Sequence, residues 1–259
     1  MRMMKKVLGT VTVLALSVSL LAGCGSTAAS PVSSAASTAA ESTTSSVVSE
    51  TTSAAADENV AAAAQLLNDL TGSYQELWPV ILADEYKQTW LDVCTALVGE
   101  DNAEAAFEKL SSMVTGDVYG EDAVKAYANG GGAYFCGFTN SLAILTFDGE
   151  TSTISGTDKD GNVLFSHTYH YIGMEPVHGL YEFESDDADS GEFTYFFLAP
   201  DTSAETYHIE FRYGSDADAL SQYDAGDYAY WVASGISTDC DQTMIDNCIE
   251  LFCTENLAG

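Results

Sequence analysis

Residues 205–216, ETYHIEFRYGSD, hold a dense run of ionisable chemistry. Strand alternation puts His208, Glu210 and Arg212 on one face and Ile209, Phe211 and Tyr213 on the other. Three readings of the polar face are open. It is the wetted side of an antiparallel sheet, the wall of a polar cavity, or part of a metal site. The last follows because imidazole and carboxylate two residues apart on a strand converge on one point. Arg212 is the only arginine beyond Arg2, and a lone guanidinium beside a glutamate is more often a carboxylate's partner than a catalyst.

All four histidines fall within 167–208. His167 and His170 are an odd number of residues apart, so they sit on opposite faces of one predicted strand. A zinc site needs three or four N, S or O donors at about 2.0–2.3 Å. His208 and Glu210 supply two, and a neighbouring strand supplies a third, with His178 ahead of His170. Carboxylate-rich loops at Glu184–Asp189 and Asp158–Asp160 suit calcium in ligand type. No D-x-[DN]-x-[DN]-G loop accompanies them, so they read as solvated. Tyr169, Tyr171, Tyr181, Tyr195 and Tyr207 read as packing residues rather than the lining of a ligand cavity. The sequence has no G-x-S-x-G, P-loop, H-E-x-x-H or dinucleotide fingerprint, so a binding protein is expected rather than an enzyme.

The elements that must position these residues follow from periodicity. Helices are expected from Asp57 to Leu70, with Leu66, Leu67 and Leu70 on one side, then over 84–98, 102–114 and Glu121–Ala128. Gly130-Gly131-Gly132 stops the last of these. Short strands follow at Ala133–Phe138, Leu142–Phe147, Thr151–Gly156, Val163–Ile172, His178–Glu184, Glu192–Ala199 and Glu205–Tyr213. Asp160-Gly161 marks a tight hairpin. Such spacing predicts a barrel or sandwich. A short helix is expected at Asp216–Tyr223 and a longer one at Asp241–Leu257.

In order along the chain, four segments resemble the ZinT (YodA-like) zinc-binding family. They are LNDLTGSYQELWPVIL (67–82), FTYFFLAPDTSAETYHI (193–209), HIEFRYGSD (208–216) and DALSQYDAGDYAYW (218–231). The resemblance spans roughly residues 67–235. It implies a mainly β fold with accessory α-helices, a calycin (lipocalin-like) antiparallel β-barrel, and capture or buffering of a divalent transition metal, zinc first. The family's H-x-H pair falls on His208 and Glu210, so a carboxylate replaces one histidine. A further family histidine falls on Phe196, which cannot ligate, and the family's His-rich amino-terminal loop is missing. The alternatives are a barrel that binds a small organic ligand through His208, Glu210 and Arg212, and a surface interaction module with no metal site.

The ends of the chain set its surroundings. MRMMKK precedes an apolar run from Val7 to Ala22 that ends Leu21-Ala22-Gly23-Cys24. This reads as a lipoprotein signal peptide over 1–23, with Cys24 lipidated and the protein held outside the cytoplasm on a bacterial membrane. Residues 24–56 read as a disordered Ser/Thr/Ala tether, and 57–259 as the folded domain. The formal charge of −31 excludes nucleic acid as a partner and draws cations. The component that would take the metal inward is not legible. Besides Cys24 there are Cys94, Cys136, Cys240, Cys248 and Cys253. That odd number leaves at least one thiol unpaired within the chain, and no C-x-x-C spacing suggests a cysteine zinc site.

Overall fold

The structure is a computed structural model that describes residues 47–200 and 208–257, with side chains from residue 58. The leader, Cys24 and the first part of the expected tether lie outside the described residues. The first helix, α1 (Val47–Asp69), starts ten residues before the expected domain boundary at Asp57.

Eight strands close into one antiparallel barrel in chain order. They are β1 (Gly72–Glu76), β2 (Ile144–Asp148), β3 (Thr153–Thr157), β4 (Val163–Met174), β5 (Tyr181–Ser185), β6 (Tyr195–Leu198), β7 (His208–Gly214) and β8 (Ala233–Ser237). Pairing of β1 with β8, Tyr74 opposite Ser237, closes the ring. With its accessory helices this is a calycin-like fold. Closure leaves no unpaired edge strand, which removes the usual aggregation hazard of a sheet.

Six of the seven expected strands occur with small shifts at their ends, residues 205–207 of the last lying outside the described residues. The exception is Ala133–Phe138, which forms no strand. Phe135 makes isolated bridges to Thr115 and Trp231, so this segment straps helix to barrel instead. Two strands were not expected, β1 (GSYQE) and β8 (ASGIS). Both are short and poor in β-branched and aromatic residues. Partners on either side hold them in place, and propensity alone would not.

The barrel interior is solid. Register links one continuous inward face through Tyr74, Leu145, Phe147, Ile154, Phe165, Tyr169, Phe183, Phe196, Phe211 and Tyr213, all buried. Aromatic rings touch edge to face or stacked across it, as Tyr169 and Phe196 do at 5.4 Å. Ala63, Leu66 and Leu67 of α1, with Leu70 directly after it, join the same core, so α1 is packed against the barrel through the stripe its sequence predicts.

A second core lies outside the wall. α2 (Leu77–Ile81), α3 (Lys87–Val98), α4 (Glu100–Met113) and α7 (Gln242–Leu257) bury Trp78, Ile81, Trp90, Leu110, Ile245 and Ile249 together with Ile236 of β8. Trp90 Nε1 donates to the Ile81 carbonyl at 2.7 Å, which ties α3 to α2. α5 (Glu121–Ala128) and α6 (Ala217–Leu220) complete the helices. Among the described residues no helix is long and apolar enough to cross a membrane.

Candidate functional site

The inward face of β7 is Ile209, Phe211 and Tyr213. Phe211 and Tyr213 lie opposite Leu198 and Phe196 of β6, and Phe211 and Ile209 lie opposite Ala233 and Gly235 of β8. The alternation read from the sequence holds, and it turns His208, Glu210 and Arg212 away from the barrel interior. A polar cavity lined by these three groups does not exist there, because aromatic rings fill the interior. The alternative of a small organic ligand held inside the barrel by them is corrected on the same ground.

Each of the three outward groups has its own surroundings. His208 pairs in register with Ile236, whose side chain belongs to the helical core, and Glu210 pairs with Ser234. Both are half-buried. The Ser234 amide donates to the Cys136 carbonyl at 3.1 Å, which brings Cys136 beside Glu210. Burial, followed by the charge of Glu210, pushes the Cys136 thiol up to about 12, and the same two causes hold Cys248 at about 12. Neither thiol is a ready ligand or nucleophile.

Arg212 is fully buried beneath the segment that follows β7. Its guanidinium donates to the carbonyls of Leu220, Gln222 and Tyr228 and lies 4.2 Å from the centre of the Tyr223 ring. Asp216 caps α6, its carboxylate accepting from the Ala219 amide at 3.0 Å. That cap folds the chain back over the guanidinium. Burial lowers the Arg212 pKa, opposed chiefly by Tyr223. Arg212 is therefore a structural tie holding 217–228 to the barrel wall: its two terminal nitrogens are spent on carbonyls, while its buried Nε has no hydrogen-bond partner.

The histidines fall into separate places. His178 lies in the β4–β5 turn, its ring 3.8 Å from that of Tyr223. Its Nδ1 is 3.4 Å from Glu175 Oε2. Glu175 is fully buried and accepts from the backbone amides of Val177 and His178, which shapes that turn. His170 projects outward from β4, with Nδ1 2.8 Å from Asp186 and Nε2 3.9 Å from Glu184. Its register partner Glu184 leads through Tyr195 to Gly214 on β7. That is six residues from His208, or about 20 Å along the strand at roughly 3.3 Å per residue. His170 and His208 therefore do not meet. His167 is the inward histidine, opposite Ile154, with Nδ1 2.8 Å from Asp187.

Two residues important to this region were not singled out in the sequence. Glu175 and Tyr223 bracket Arg212 and His178, and only the return of 216–231 across the barrel wall brings them there. A Glu-Pro pair before a Gly is a legible turn signal, but nothing local reports burial.

Among the described residues no three His, Cys, Asp or Glu side chains are grouped so as to hold a metal ion. Tested against zinc, the residues present do not complete a closed four-donor shell. His208 and Glu210, on one face and two residues apart, offer at most two donors of the right chemistry.

No protein-family model and no curated protein matches the chain. Its fold is similar to that of the Zn(II)-bound ZinT-like domain of AdcA from Streptococcus pneumoniae. Identity to that domain is 14% and the TM-score 0.44, over 70% of this chain and 87% of that one. It is similar too to Zn(II)-bound AdcA from the same organism, at 13% identity and a TM-score of 0.42, over 71% of this chain and 34% of that one. The chain thus spans about a third of the longer protein's length.

Proposed function

We propose that this chain is an extracytoplasmic, lipid-anchored ZinT-like barrel that binds a divalent transition metal, zinc first, at its outer face for capture or buffering. The observation that carries this reading is the placement of His208 and Glu210. They project from one face of β7, within the stretch whose sequence resembles the family. Half-buried beside the helical layer, the two protein donors leave the rest of the shell to water or to a partner on their exposed side. Such a site exchanges its ion readily and binds more weakly than a closed structural site. That suits buffering and handover rather than storage, and it calls for no catalytic group. His178 and His170 stand apart from the pair and are not needed. The strongly acidic surface raises the local cation concentration without selecting among ions. The anchor is Cys24, read from the leader.

The experiment is calorimetric zinc titration of the chain, wild type against His208→Ala and Glu210→Gln. Stoichiometric binding that both substitutions weaken supports the reading. Equal heats in all three proteins, matched by magnesium, reduce the signal to the acidic surface and sink it. That result would favour a second reading, a tethered barrel acting only through surface contacts. The filled interior and the structural use of Arg212 support this second reading.

A further inference from the structure

Cys94 and Cys253 are wholly buried where α3 packs against α7, with their sulfurs 4.0 Å apart. They are 159 residues apart in sequence, so only the docking of the carboxy-terminal helix brings them together. We propose that Cys94 and Cys253 are the pair this chain oxidises to a disulfide, fixing α7 to α3. A disulfide needs its sulfurs about 2.05 Å apart. Closing the 4.0 Å gap calls for rotation of the two side chains about Cα–Cβ.

The reaction balances without a cofactor. Each thiol gives up its proton, and the new S–S bond forms as two electrons pass to a small-molecule or protein disulfide, which leaves as two thiols. The exchange takes place as α7 docks and brings the sulfurs together, before burial is complete, because burial seals both sulfurs and raises both thiol pKa values. Of the other cysteines, Cys136 lies on the strap beside β8 rather than on α3 or α7. Cys248 is five positions from Cys253 on the same helix and so faces a different direction. Cys240 is only half-buried, in the loop before α7. A bond at 94–253 closes the longest loop that these five cysteines allow, and it holds the helical layer over Ile236 and the outer wall of β8.

The test does not depend on where the protein resides or on metal binding. The full chain is reduced and unfolded, then refolded in a glutathione redox buffer that supplies the disulfide oxidant. Free thiols are blocked, and the protein is digested and mapped by mass spectrometry. The expected result is a linked peptide joining Cys94 to Cys253, absent from Cys253→Ser, with Cys136 and Cys248 recovered as blocked thiols. A different dominant pair, or Cys94 and Cys253 both recovered blocked, overturns the proposal. Because wild type is mapped, a variant that fails to fold leaves the answer intact.

Discussion

Phe196 and Tyr213 face each other across β6 and β7 inside the barrel, their rings stacked with centroids 5.4 Å apart. This pair fixes which side of β7 is inward. With Tyr213 inside, Arg212 and its alternate neighbours Glu210 and His208 must be outside. The Tyr213 hydroxyl, 3.0 Å from the Thr139 carbonyl, donates there and accepts from the Thr139 amide. That locks the ring at the barrel's end, and burial pushes its pKa up.

Phe196 is fully buried, so Phe196→Ala is expected to cost about 3–5 kcal/mol, the range for truncating a core phenylalanine. Urea denaturation measures it. Phe196→His, which introduces the histidine that the resembled family carries at this place, is expected to destabilise as well, because an imidazole would be buried among aromatic rings. It should give no gain in zinc binding, since His208 and Glu210 lie across the wall.

Arg212→Lys replaces a planar fork of donors with a compact ammonium that cannot span the same carbonyls. Several of the carbonyls of Leu220, Gln222 and Tyr228 then lose their partner. At about 1–3 kcal/mol for each buried unsatisfied acceptor, the expected loss is about 3 kcal/mol. Hydrogen exchange should show faster opening over 217–228 than over β4, and unchanged protection in that segment would contradict the tie.

Asp158 organises the β3–β4 turn. Its carboxylate accepts from the Asp160 and Asn162 amides, both at 2.9 Å, and from the Asn162 side chain at 2.8 Å. Those bonds, the side chain of Asn162 first, hold its pKa below the ordinary carboxylate value. A depressed folded pKa means the stabilisation is present above the unfolded pKa, near 3.9, and is lost as pH falls through the folded one. Asp158→Ala should therefore destabilise the hairpin at neutral pH and matter less in strong acid. Thermal melts of both proteins across that range test the sign.

Thiol labelling should separate the cysteines. With burial pushing Cys136 and Cys248 up to about 12, the thiolate is scarce at pH 8, and both sulfurs are also shielded. Cys240, half-buried, should react first with iodoacetamide in the native protein. Rapid labelling of Cys136 without unfolding would mean that the strap carrying it opens.

The alternation of β7, the stripe of α1 and most of the strands were legible, because each depends on neighbours a few residues apart. β1 and β8 were not, since small residues such as those of ASGIS become a strand only between two partners. The direction of the polar face was likewise closed to reading. An alternating pattern says that His208, Glu210 and Arg212 share a side, and both sides of β7 carry residues able to be buried.

By itself, then, the sequence determined which groups travel together, the acidic charge and the mixture of helices and strands. Tertiary structure alone decided that the inward side belongs to Phe211 and Tyr213, that Arg212 lies beneath residues 217–228, and that Cys94 meets Cys253. The reason is that closing a barrel and docking helices on its wall join residues far apart in the chain, and burial is settled by those long-range contacts.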